Sequence, residues 1–168
     1  MKRILFLILF ITSVFARDYL YFLPKDGEKA QNKVSYIFKT AHESIDIAIY
    51  TFTNKKFLKA LKSAARRGIK IRIVADYDTN KNSLHGSVIP QLKKLRNIQV
   101  KLLHGVGRGR YKGIMHMKLF IVDDNTVGFG SANYTYSAFH KNYELLYIND
   151  DWTFTRRFIK IFNELWTK

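Results

Sequence analysis

The amino-acid sequence predicts an α/β fold: one domain in which helices sandwich a mixed β-sheet. Three observations carry this expectation. From about residue 28 onward, segments with apolar residues at helical spacing alternate with short runs rich in β-branched residues. Several of those runs are apolar on both faces, as strands covered from two sides are. A chain of 168 residues is one domain, with enough apolar sequence for a sizeable core.

The first residues stand apart from that domain. Met1-Lys2-Arg3 is a basic start, residues 4–15 are an apolar run, and Val14-Phe15-Ala16 fits a small-x-small cleavage site. Residues 1–16 are therefore expected to be a secretory signal peptide, and residues 17–168 the exported domain. The alternative is an uncleaved anchor, although the run is shorter than the roughly 20 residues that span a bilayer comfortably. Ala30, Val34, Ile37, Phe38 and Ala41 predict a helix over 28–43. Residues 44–52 read as a strand, with Ile45, Ile47 and Ile49 on one face and Ala48, Tyr50 and Phe52 on the other. Phe57, Leu58, Leu61, Ala64 and Ala65 predict a helix over 54–67, closed by Gly68. A strand over 69–75 leads into a polar loop over 76–86, a short helix over 88–95 and a strand over 98–103. A hairpin spans 116–133 and a strand 143–148. The last helix covers 152–166, capped by Asp150 or Asp151, with Phe154, Phe158, Ile161, Phe162 and Leu165 as its inner stripe.

Composition narrows the partners. With no cysteine there is no disulfide, no lipoprotein anchor and no cysteine-based zinc site. The formal charge is +16, and losing residues 1–16 removes Lys2 and Arg3 and no acid, leaving +14. Such an excess draws a protein to polyanions, either nucleic acid or an anionic membrane.

Chemistry concentrates in residues 116–133, HMKLFIVDDNTVGFGSAN. His116 and Lys118 are two apart and share a strand face. Asp124-Asn125 suits a two-residue hairpin loop, because Asp and Asn tolerate positive φ. That loop predicts Asp123 opposite Thr126, Lys118 opposite Ser131 and His116 opposite Asn133. An imidazole can attack phosphorus or carry a proton near neutral pH. An ammonium and an amide beside it can hold non-bridging oxygens as negative charge builds. Asp123 falls in the turn, where capping the hairpin is its expected work.

HxK(x)4D followed by GSxN resembles the phospholipase D superfamily, with His116, Lys118, Asp123, Gly130, Ser131 and Asn133 in the matching places. The alternation of elements, the single motif copy and the small size resemble the Nuc-type bacterial endonucleases. Members of that superfamily carry two motifs in one chain or pair two single-motif chains, so the resemblance implies a homodimer here. It also implies that Asn142-Tyr143-Glu144 matches the family's Asn-x-Glu, whose glutamate orients the motif histidine. Ser131 lacks the strand-turn-helix elbow of a serine nucleophile and is expected to hydrogen-bond phosphate or Glu144.

The segment 104–113, HGVGRGRYKG, enters the strand that bears His116. Its Arg108, Arg110, Tyr111 and Lys112 are expected to clamp substrate, since guanidinium and ammonium groups track a phosphate backbone and tyrosine stacks on an unpaired base. His42, His85, His104 and His140 repeat no ligand or catalytic spacing, and His42 reads as a helix end. Asp76 and Asp78 follow a strand end but lack a third acid, so no metal site is expected.

The sequence therefore predicts a phosphodiesterase with no metal and no cofactor: a secreted or periplasmic non-specific nuclease, acting on single-stranded DNA first and RNA second. Two other readings stay open. One is a phospholipase, against which the small chain offers no long apolar insertion to shelter an acyl chain. The other is a basic module for DNA capture. Peripheral association with a membrane stays open as well.

Overall fold

The protein is described from a computed structural model that covers residues 17–107 and 110–168. The expected leader over 1–16 and the expected clamp residue Arg108 lie outside the described residues. Thirteen elements follow in order: β1 (Asp18–Leu23), α1 (Gly27–Thr40), β2 (Ser44–Ile49), α2 (Lys55–Arg66), β3 (Lys70–Asp76), α3 (Tyr77–Asn80), α4 (Ile89–Leu92), β4 (Ile98–Leu103), β5 (Lys118–Val122), β6 (Thr126–Gly130), α5 (Tyr136–His140), β7 (Glu144–Asn149) and α6 (Trp152–Trp166).

The strands form one sheet in the order β1-β7-β6-β5-β2-β3-β4. The neighbours β2, β3 and β4 are parallel, joined by α2 and α4 as parallel crossovers require, and every other pair is antiparallel. The sheet is thus mixed, with helices on both faces, as the alternating periodicity predicts. One face carries the larger core, where Ile45, Ile47 and Ile49 of β2 meet Val34 and Phe38 of α1 and Phe57 and Leu61 of α2. On the other face Ala48, Val74, Leu119, Ile121 and Val127 pack under Phe162 of α6.

Local chemistry fixes the helix ends. The Asn54 side chain accepts from the amides of Lys56 and Phe57 at 2.9 and 3.2 Å, capping α2. Gly68, at φ +93°, ends the same helix where a left-handed residue is needed. Asp151, rather than Asp150, caps α6 by accepting from the Phe154 amide at 2.7 Å.

Several boundaries differ from expectation. α1 stops at Thr40, so His42 lies beyond the helix and not at its end. β2 stops at Ile49, because the chain turns away after it and Phe52 makes only an isolated bridge to Tyr134. The short α3 occupies part of the expected 76–86 loop, and β1 and α5 are elements that the periodicity did not disclose. Ile161 is 43% exposed at the edge of the α6 stripe, whereas Ile159 and Trp166 pack against the core.

Tyr134 is buried among Phe38, Phe52 and Phe57, and its hydroxyl has no hydrogen-bond partner among the described residues. Burial pushes its pKa well up. An orphaned buried hydroxyl is costly, so Tyr134→Phe is expected to raise stability by about 1 kcal/mol in urea denaturation. A loss of stability would mean that the hydroxyl has a partner.

Candidate active site

The segment that carries His116 and Lys118 is held from below. Beyond the ladder of β2 with β5, which ends at Ile49 opposite Lys118, the Tyr50 amide donates to the Met117 carbonyl at 3.0 Å. Just before it, the Met115 amide donates to Asp76 Oδ2 at 3.1 Å. Asp76 is 1% exposed, and its other oxygen accepts from the Thr79 amide and hydroxyl. Its two oxygens are therefore engaged in anchoring backbone. Among the described residues, no cluster of three or more metal-ligating side chains is present.

His116 is exposed, and its ring lies 4.7 Å from that of Tyr50 at an angle of 62°. Lys118 is 8% exposed, and its Nζ donates to the His116 carbonyl at 2.8 Å while lying 5.5 Å from the centre of the Tyr50 ring. Burial pulls the Lys118 pKa below the ordinary lysine value, and the Glu144 carboxylate opposes that shift. An exposed imidazole and a desolvated ammonium thus stand side by side.

The remaining candidates are placed by β6 and β7. The hairpin register differs from expectation by one residue: Val122 faces Thr126, and the loop is Asp123-Asp124-Asn125. Both aspartates adopt φ 52°, so three residues turn where two were expected. Extended one step, this register sets Lys118 against Gly130 instead of Ser131. Gly130 must be glycine, because a Cβ there would come within 2.1 Å of the Leu145 carbonyl oxygen. Ser131 donates its amide to that carbonyl at 3.0 Å, and its Oγ accepts from the Leu145 amide at 3.1 Å. Its hydroxyl oxygen is therefore tied to β7 backbone next to Glu144, and not to the Glu144 carboxylate as one expectation had it.

Asn133 lies past the end of β6, and its Oδ1 accepts from the Thr51 amide at 3.2 Å. Because Thr51 donates, the Asn133 oxygen must face it, which leaves the Nδ2 hydrogens for another acceptor. Glu144 opens β7, half-buried, with Asn142 Nδ2 at 3.5 Å from its Oε1. The charge on which it acts is Lys118, while no hydrogen bond joins it to His116 among the described residues.

Asp123 sits at the far end of β5 from His116. Its carboxylate accepts from the amides of His42, Glu43 and Ser44 at 2.9, 2.8 and 3.0 Å. Among the described residues it therefore caps the entry to β2, and its carboxylate makes no bond to the hairpin that it was expected to cap. Arg110, Tyr111 and Lys112 are exposed in a loop closed at its base by the Gly105 amide on the Gly113 carbonyl, 2.9 Å.

Besides the Asp76 anchor, sequence reasoning missed two features. Tyr50 is a wall of the site, hidden because it reads as one more apolar position of a strand. A groove of about 380 Å³ beside His116 is lined by Leu103, Val106, Ile114, Met117 and Leu165. Its walls come from three separate parts of the chain, so no local pattern announces it.

The family model for the cardiolipin synthase, PLD-like domain matches residues 35–166. The chain belongs to the phospholipase D superfamily. Within it the protein is of the Nuc type: NucT from Helicobacter pylori superposes with a TM-score of 0.87 at 37% identity, over 91% of this chain and 97% of that one. The Nuc protein from Salmonella typhimurium, a phospholipase D family member, superposes at 0.74 with 26% identity, over 91% and 95%. The human mitochondrial cardiolipin hydrolase is 31% identical over 140 residues, 83% of this chain and 52% of that protein. The chain thus spans about half the length of that curated relative.

Two outcomes follow from the contacts. Removing the Asp123 acceptor strands three amides, so Asp123→Ala is expected to cost about 2 kcal/mol of stability in denaturant titration, while His116→Ala leaves stability unchanged. Lys118 has a folded pKa below its unfolded one, so burying its charge costs stability until deprotonation relieves it. Lys118→Met should therefore be more stable than wild type at neutral pH. The difference should shrink as pH rises from the depressed pKa toward about 10.4, the ordinary lysine value.

Proposed function

We propose that the protein is an exported phosphodiesterase that cleaves nucleic acid, single-stranded DNA before RNA, without a metal and as a homodimer. The observation that carries this reading is the exposed His116 imidazole beside the desolvated Lys118 ammonium: a nucleophile next to a fixed positive charge. The formal charge of +16 and the exposed Arg110, Tyr111 and Lys112 support a polyanionic substrate. The likeness to NucT and Nuc supports the nuclease reading over other superfamily activities.

In this reading, two chains pair so that each lends His116, Lys118 and Asn133 to a composite site. Neutral Nε2 or Nδ1 of one His116 attacks phosphorus, forming a P–N bond as the P–O bond to the leaving oxygen breaks. The partner's His116, as imidazolium, gives that oxygen its proton. Now neutral, it takes a proton from water, whose hydroxide oxygen attacks phosphorus and breaks the P–N bond. Lys118 and the Asn133 amide hold the non-bridging oxygens, Ser131 and Glu144 steady the site, and Asp123 holds the strand that presents it.

A second reading has its own observation. The apolar groove beside His116 offers the shelter for an acyl chain that sequence alone did not reveal. A relative named mitochondrial cardiolipin hydrolase adds support. Here the basic surface would hold the enzyme at an anionic membrane.

The test incubates the full chain with labelled single-stranded DNA in excess EDTA, beside His116→Ala. Wild type should cleave, and the variant should lose all cleavage while binding DNA within about twofold of wild type. The rate should be bell-shaped in pH, because one imidazole starts neutral and the other protonated. Faster release of headgroups from cardiolipin vesicles than of DNA fragments would favour the lipid reading.

A further inference from the structure

We infer that Tyr50 is a positioning residue of this site, acting through its ring to fix the His116 imidazole and shield the Lys118 ammonium. The inference rests on the proposed phosphodiesterase reading and goes beyond it. Tyr50 follows the last residue of β2, where the chain leaves the ladder, and a residue in such a place is ordinarily free to move. Here it is pinned. Its amide holds the Met117 carbonyl, the peptide between the two motif side chains, at 3.0 Å. Its carbonyl accepts from both Thr79 Oγ1 and Asn80 Nδ2 at 2.6 Å. Asn80 is itself fully buried and fixed, since its Oδ1 accepts from Ser87 Oγ at 2.9 Å. A buried polar frame thus sets one backbone position beneath the motif.

The ring converts that position into control of chemistry. It lies 4.7 Å from the His116 ring, tilted at 62°, within the range of favourable aromatic pairs. An exposed histidine would otherwise sample several side-chain rotamers. Occupying one of them in advance lowers the entropy cost of attack. The same ring lies 5.5 Å from Lys118 Nζ, where its π-electrons stabilise a cation that burial has stripped of water. Neither effect needs the phenolic hydroxyl.

The experiment compares Tyr50→Phe and Tyr50→Leu with wild type in the full chain. Kinetics on single-stranded DNA are paired with NMR of the His116 ring protons, which report the neighbouring ring current whether or not the enzyme turns over. Tyr50→Phe should keep kcat within about twofold and keep the His116 shift. Tyr50→Leu should lose about tenfold in kcat with little change in KM, and the His116 resonance should move toward its free position. Should Tyr50→Leu fail to fold, Tyr50→Met serves in its place. Wild-type kcat or an unmoved His116 resonance in the aliphatic variant would overturn the inference, as would an equal loss in Tyr50→Phe. A wild-type chain that cleaves no DNA would sink the nuclease reading, while the NMR comparison still decides where Tyr50 holds His116.

Discussion

The site depends on one register, that of β2 against β5. These strands join the parallel half of the sheet to the antiparallel half, and Ile45 opposite Val122 through Ile49 opposite Lys118 is the seam between them. A slip of one residue would exchange the two faces of β5, moving Phe120 and Val122 out of the larger core and Lys118 to the wrong face. The seam is locked at both ends. At one end Asp123 donates its amide to Ser44 and accepts three amides in return. At the other the Tyr50 amide reaches Met117. The position of His116 is thus secured by contacts that never touch its side chain.

Charge is managed differently at the two ends of the sheet. Asp46 and Arg72 face each other across β2 and β3 with both Asp46 oxygens engaged, and Arg72 lies 5.0 Å from the Phe162 ring and 5.5 Å from that of Trp166. Burial pushes the Asp46 carboxyl up against the opposing pull of Arg72. That pair is satisfied and seats α6, whose last turn lines the groove beside His116. Lys118 is buried with an aromatic face and a carbonyl, and Glu144 acts on it only through its charge. Two hydrogen bonds close the Asp46–Arg72 pair, whereas Lys118 Nζ makes one among the described residues, to the His116 carbonyl.

Much of this was legible in the sequence. The α/β class followed from alternating periodicities, because helix and strand faces repeat at 3.6 and 2.0 residues. His116 and Lys118 were legible as a pair because both the spacing and the side-chain chemistry are local. The hairpin register was not, because two consecutive aspartates at positive φ lengthened a turn that two residues could have made. Edge strand β1 was not, because Leu20 and Phe22 on its exposed face are as apolar as Tyr19, Tyr21 and Leu23 on its inner face, so its alternating burial leaves no mark on the sequence. Tyr50, the Asp76 anchor and the apolar groove were not, since each exists only when segments distant in sequence meet. Local patterns reveal elements, while walls and anchors are tertiary.

The Asp123 anchor also explains a number. Four residues separate Lys118 from Asp123, and those four are the rest of β5, so the spacing is a ruler of about 17 Å between chemistry and fastening. Exchanging one apolar side chain for another along it would leave its length intact. An insertion or deletion would keep every motif residue present while parting the reactive end from the fastened one. The spacing in HxK(x)4D is therefore a measurement of the sheet, written into a chemical signature.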